Sequence, residues 1–196
     1  HMDEINLKQL TLAVRPIAEE KNLNEETVLS VIEQAIAAAW RRDNGERDQE
    51  VRAELNVNNG TAVVFVAREV VEEVGSDAVE ISLEDARKLK VDAEIGDTIE
   101  TEQHEVTSFG RVAAQTAKQV VLQRLREAER EVVLAEYEDK IGTVVNGIVQ
   151  RVEPRVVRVE LGKAVGIIPQ GEQIQGEFYN VGGRIKVFIK DIESDN

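Results

Sequence analysis

The stretch from Phe109 to about Asp139 constrains this 196-residue chain more than any other, because it contains no proline and only one early glycine, Gly110. Ala114, Ala117, Val121, Leu125, Ala128, Val132 and Ala135 step through it by threes and fours, the spacing that places side chains on one face of an α-helix. At 1.5 Å per residue such a helix is about 45 Å long, too long to lie inside one small globule, so it protrudes or bridges. Its first half holds small residues (Ala113, Ala114, Ala117) that permit close packing. Its second half, from Arg124 to Asp139, is charged and reads as solvated.

The chain ahead of this helix alternates helical and strand patterns. Apolar positions at Ile5, Leu7, Leu10, Val14, Ile17 and Ala18 predict a first helix over 4–21. Pro16 removes a backbone donor within it, so a kink or two shorter helices are expected. Asn24 suits an N-cap, followed by Glu25 and Glu26 at the positive helix end. That second helix buries Val28, Ile32, Ala35, Ile36 and Ala39, and Asn44-Gly45 stops it after Trp40, Arg41 and Arg42. Val51, Ala53, Leu55 and Val57 alternate as in a strand. Asn58-Asn59-Gly60 then offers left-handed residues for a tight hairpin, with a return strand from Thr61 to about Val71. Ser82-Leu83-Glu84-Asp85 matches a capping box for a short helix to about Leu89. A strand over Thr98–Val106 precedes Thr107-Ser108, either of which can cap the long helix.

Gly142 marks a change of character. Seven of the thirteen glycines lie beyond it, among short alternating runs at Thr143–Val152, Val156–Leu161, Ala164–Ile168 and Arg184–Ile192. Strands of this length separated by Pro/Gly turns predict a small barrel or sandwich. Charge divides at the same place. Residues 1–140 hold 17 basic and 31 acidic side chains, so the whole net charge of −14 lies there, whereas 141–196 hold seven of each. An acidic surface repels phosphate, but that argument reaches the first segment alone.

Composition removes several chemistries. There is no cysteine for disulfides, thiolate zinc sites or thiol nucleophiles, and His104 is the only histidine besides His1. His1-Met2 reads as a vector-derived remnant ahead of the native start. Neither a phosphate-binding glycine loop nor a nucleophile elbow occurs. The chain is expected to be no enzyme, to hold no metal or cofactor, and to be cytoplasmic, with no membrane-spanning run or signal peptide.

Binding signals are clearer. In the last strand Ile185, Val187 and Ile189 fall on one face, while Arg184, Lys186, Phe188 and Lys190 fall on the other. Three cations and a ring on a solvent face suit RNA, with stacking on bases and ion pairing to phosphates. Lysines protecting an edge strand from aggregation give the same pattern. Phe178, Tyr179, Arg151, Arg155 and Arg158 add to the RNA reading. Arg41-Arg42 either complements the dipole of its helix or joins a further cation such as Arg111.

Phe109-Gly110-Arg111-Val112-Ala113-Ala114-Gln115-Thr116-Ala117-Lys118-Gln119-Val120-Val121, with Arg126-Glu127-Ala128-Glu129-Arg130 after it, closely resembles the signature of the NusA family of bacterial transcription elongation factors. Ile17 to Lys21, Val31 to Ala39, Ile81 to Ala86, Gly147 to Glu153 and Ile168 to Ile174 fit the same family, so the resemblance covers nearly the whole chain. It implies an α+β N-terminal domain with a long C-terminal helix over 3–140, docking on RNA polymerase at the β-subunit flap beside the RNA exit channel. It further implies an all-β OB-fold over 141–196, of the five-stranded ribosomal-S-one type that binds nascent RNA. Family members modulate pausing, termination and antitermination. Basic residues matching Arg41, Arg42 and Arg111 lie where their emerging pause hairpin passes.

Two departures accompany the resemblance. The family's two KH domains are absent from this sequence, and its barrel has a further strand after the segment ending near Ile192. Weak RNA binding and self-association through an open barrel edge are therefore expected. The competing reading is a general RNA-binding or ribosome-associated protein whose acidic domain is a spacer.

Overall fold

The computed structural model describes residues 5–193, with side chains from Asn6 onward; His1-Met2 lies outside them. The chain divides into two compact units, His1–Ala128 and Glu129–Asn196.

In the first unit the order is β1 (Ile5–Asn6), α1 (Leu7–Lys21), α2 (Glu25–Asn44), β2 (Glu50–Asn56), β3 (Thr61–Val71), β4 (Glu80–Ser82), α3 (Leu83–Leu89), β5 (Thr98–Val106) and β6 (Ser108–Phe109). α4 (Arg111–Glu138) follows, and the division between units falls within it. β3 is the central strand. β2 and β5 pair antiparallel with it on opposite edges, and β4 runs parallel to its last three residues. Short side-chain caps set the helix starts: Asn6 accepts from the Lys8 amide at 2.9 Å, Asn24 from Thr27 at 2.7 Å and Ser82 from Asp85 at 3.1 Å.

Alternation along β3 decides where the core lies. Ala62, Val64 and Val66 are buried against Val28, Ile32 and Ile36 of α2 and Leu7 of α1, with Phe109, Ala113, Ala117 and Leu125 completing the cluster. A smaller cluster of Val70, Ala86, Ala93 and Ile99 seats α3 on the same face of the sheet. Gln49 is the one buried polar side chain among the described residues. It donates to the Ala78 carbonyl at 3.0 Å and accepts from the Glu46 amide at 2.9 Å, tying the end of α2 to the loop before β4.

Three local expectations change. α1 is a single helix through Pro16 rather than two shorter ones. Pro16 is exposed, and the carbonyl it deprives of a partner belongs to Leu12, also exposed, on the helix face that solvent reaches. In the β2–β3 connection only Gly60 has positive φ, at 70°. Asn58 and Asn59 are not left-handed; Asn56 and Asn59 shape the turn by accepting from the Asn58 and Thr61 amides at 2.9 and 3.1 Å. Neither Thr107 nor Ser108 caps α4. Ser108 pairs with Asn6 in the short β1–β6 ribbon, and the Gly110 carbonyl accepts the first helical bond, from Ala114 at 2.9 Å.

The second unit is an antiparallel sheet in the order β10-β7-β8-β9, from β7 (Val144–Val152), β8 (Val156–Glu160), β9 (Val165–Pro169) and β10 (Arg184–Phe188). Its curl makes it an OB-type half-barrel. Val149, Val157 and Val159 form its interior, with Leu161, Ile168, Tyr179, Ile185 and Val187 packed on them. Gly147 is required there, since a side chain at that position would run into Val159 and Leu161. β10 ends at Phe188, short of Ile192, yet Ile189 still exchanges backbone bonds with Thr143 (3.0 Å) and Gly142 (2.7 Å). The end of α4 belongs to this unit. Tyr137 is 7% exposed and its hydroxyl donates to the Leu161 carbonyl, whereas Val132 and Ala135 of the expected stripe are exposed. The stripe follows the first core through Leu125 and then gives way to a second face, because two cores draw on one helix.

Replacing Gln49 with Ala strands the Glu46 amide and the Ala78 carbonyl, at a cost of about 1–3 kcal/mol for such a buried group. Urea unfolding followed by the fluorescence of Trp40, the single tryptophan, reads this loss directly.

Candidate nucleic-acid interface

The pairing register of the second sheet assembles a surface from separate strands. Directly opposed residues share a face. Phe188 stands opposite Val144, Lys186 opposite Asn146 and Arg184 opposite Ile148. A bulge between Val149 and Arg151 brings Arg151 opposite Arg158, which in turn stands opposite Ile167. Arg151, Arg158, Arg184, Lys186 and Phe188 thus share the outer face, away from the valine interior. Phe188 is 61% exposed. Arg151 and Arg158 both reach one oxygen of Glu153, at 3.3 and 3.4 Å, so a single carboxylate holds two guanidinium groups in place.

The other three barrel candidates sit elsewhere. Tyr179 packs on the interior cluster, and its hydroxyl accepts from the Ile174 amide at 3.1 Å. Phe178, beside it, is 89% exposed in the loop before β10. Lys190 lies past the strand end and pairs with Glu172 at 2.9 Å, which holds its ammonium pKa above the usual value. Sequence reasoning missed the aliphatic part of the face. Val144, Ile148, Val165 and Ile167 are all exposed on it, and the alternation of β7 and β9 carried that signal.

The second candidate group lies in the first unit. Arg41 is half-buried and donates to the Gln49 carbonyl at 3.3 Å, while Arg42 is exposed. Both sit in the last turn of α2, where cations complement the helix dipole. Arg111 is different. It opens α4 at the positive end of the helix, whose first turn contains no acid, so its charge opposes the dipole. α2 packs against β6, which leads into Arg111, but no bond joins the three guanidinium groups. Between Val106 and Arg126 there is no Asp or Glu at all. Lys118 and Arg126 are exposed along this acid-free stretch, a second feature missed by attention to motifs.

Among the described residues no helix is long and apolar enough to cross a membrane, and no His, Asp and Glu group could hold a metal ion.

An α+β unit followed by an OB-type sheet with a cationic, apolar outer face defines the class of two-module chain to which this protein belongs. Residues 9–131 match the family described as NusA N-terminal domain, and residues 138–196 match the S1 RNA binding domain. Curated relatives carry the name transcription termination/antitermination protein NusA. That of Halalkalibacterium halodurans is 41% identical over 183 residues, covering 92% of this chain and 47% of the relative. That of Bacillus subtilis is 41% identical over 187 residues, with 94% and 49% covered. The Thermus thermophilus protein is 34% identical over 196 residues, with 95% and 50% covered. The solved N-terminal domain of NusA from B. subtilis is 40% identical, covers 63% of this chain and 98% of its own, and has a TM-score of 0.43. The chain belongs to the NusA family, and it spans about half the length of the curated relatives it matches.

Because Arg111 opposes the helix dipole, Arg111→Glu is expected to leave folding intact or raise stability by about 0.3–1 kcal/mol. Thermal unfolding by circular dichroism checks this; a marked loss would give Arg111 a structural duty instead.

Proposed function

We propose that this chain is a transcription factor module that docks on bacterial RNA polymerase near the RNA exit channel through its first unit and holds nascent RNA on the outer face of its second. Through these contacts it modulates pausing, termination and antitermination in the cytoplasm, without catalysing a reaction. One observation carries the RNA part: the register that gathers Arg184, Lys186, Phe188, Arg151 and Arg158 on one exposed face. Rings on such a face stack with any base, and cations follow the backbone, which gives affinity with little sequence preference. The S1 RNA binding domain match over 138–196 supports the same reading.

Arg42 and Arg111, with Arg41 behind them, are placed in the path of a pause hairpin in this reading. Lys118 and Arg126 extend that positive track along α4. A region without carboxylates is the part of an otherwise acidic unit that phosphate can approach. The flanking strands β9 and β10 leave backbone groups at the sheet edges, and a second copy pairs there at high concentration.

Phe188→Ala removes a stacking ring worth about 1–3 kcal/mol per base, roughly a 5- to 150-fold loss of affinity for a single-stranded oligoribonucleotide. Lys186→Ala lowers the salt slope of binding by about 0.7. Fluorescence anisotropy across a salt series measures both, and unchanged affinity in Phe188→Ala contradicts the role of the face. In a paused-transcription assay Arg41, Arg42 and Arg111 replaced together by Ala shorten the hairpin-pause lifetime while polymerase binding persists. RNA affinity without polymerase binding by the unaltered chain favours a general RNA-binding protein instead.

A further inference from the structure

The bulge in β7 sets two like charges directly against each other. Arg151 stands opposite Arg158 across the β7–β8 pair, an arrangement that costs stability unless an anion lies between them. Glu153 supplies that anion. Its amide donates to the Val156 carbonyl at 2.9 Å, closing the hairpin, and Pro154 stiffens the chain just after it. From this base a single carboxylate oxygen, Oε1, meets Arg151 at 3.3 Å and Arg158 at 3.4 Å. Charge-assisted bonds of this type close to about 2.7–2.9 Å when nothing constrains them, so both contacts are stretched. The two arginine side chains are 69% and 38% exposed, within reach of a ligand from solvent. Among the described residues, Arg184 and Lys186 on the same face form no ion pair.

We infer that Arg151 and Arg158 form a subsite for one backbone phosphate of a bound polynucleotide, and that Glu153 is the internal anion this phosphate displaces. The chemistry of the two anions decides the exchange. Tethered to the hairpin, Glu153 shares one oxygen between two guanidinium groups. A phosphodiester is free of that tether and carries two unesterified oxygens, so each guanidinium takes one at ordinary length, in the forked geometry that arginine favours. The displaced carboxylate stays close by and repels the phosphate, so Glu153 holds affinity below what the two arginines alone would give. A lone phosphate gains little over the anion already in place. A strand that also reaches Lys186 and Phe188 gains from every contact at once, and the device thereby favours an extended polyanion over single phosphates. The inference rests on the RNA-binding reading only for the identity of the polyanion, since the subsite itself is defined by register and distance.

The test uses the full chain and two probes: a short single-stranded oligoribonucleotide, and sodium tripolyphosphate. Glu153→Gln keeps the shape of the side chain and removes its charge, while Glu177→Gln makes the same change in net charge on the exposed loop before β10. In fluorescence anisotropy Glu153→Gln is expected to bind the oligoribonucleotide about two- to fivefold more tightly, the worth of an exposed ion pair. Its salt slope steepens by about 0.7, because one more cation is free to neutralise phosphate. Arg158→Ala costs more affinity in the Glu153→Gln background than in the unaltered chain, and Glu177→Gln changes little. Equal gains in Glu153→Gln and Glu177→Gln leave only net charge and overturn the inference. Weaker binding by Glu153→Gln overturns it too, and makes the carboxylate a holder of the arginines and nothing more. In NMR spectra tripolyphosphate shifts the Nε–H signals of Arg151 and Arg158, at lower concentration in Glu153→Gln than in the unaltered chain. Those shifts without oligoribonucleotide binding count against the RNA reading and keep the subsite, whereas their absence from both proteins overturns the subsite.

Discussion

Side chains along a β-strand alternate between two faces, and here two strands use both. β3 buries Ala62, Val64 and Val66 under α2, and this core sets the position of everything else in the first unit. The same strand turns Val63, Phe65 and Ala67 to its other face, where they are half-buried between glutamates of β2 and β5 and Arg52 covers the Phe65 ring. β10 sends Ile185 and Val187 into the barrel interior and Lys186 and Phe188 outward. A slip of one residue in either register would exchange the core for the outward face. Stability and function are thus fixed together by the pairing.

Charge then separates the roles of the two faces. In the first unit many cations are already neutralised: Arg52 by Glu54 and Glu100, Arg68 by Glu102, Lys88 by Asp85 and Arg124 by Glu127. The exposed pairs among these contribute little to stability, and the unit's excess of acids leaves its field strongly negative. Arg42, Arg111, Lys118 and Arg126 stand out against that field. Within the second unit, residues 141–196 hold equal numbers of acidic and basic side chains, so local arrangement decides what the sheet attracts, and the outer face gathers cations and apolar groups there.

Much of this was legible in the chain because it depends on neighbours in sequence. The caps at Asn24 and Ser82, the strands Thr61–Val71 and Thr98–Val106, and the inside–outside division of β10 follow from local pattern. What the pattern hid depends on distant partners. Tyr179 reads as a second exposed ring beside Phe178, yet it packs inward because the Ile174 amide and the valine interior receive it. Tyr137 carries no signal until Leu161 is placed beside it. Likewise the four aliphatic residues of the outer face become one surface only when β7, β8 and β9 are paired. The roles of Arg41, Arg42 and Arg111 came from a family resemblance, and the structure adds that only Arg111 opposes its own helix dipole.

The account turns on which face of the second sheet meets RNA. An amide and side-chain NMR titration of the full chain with a short single-stranded oligoribonucleotide tests this most directly. Perturbation centred on Asn146, Ile148, Arg158, Lys186 and Phe188, with Tyr179 and Val157 unmoved, is the expected result. Perturbation centred instead on the loop around Phe178 and Lys190, or on the acidic first sheet, would contradict it.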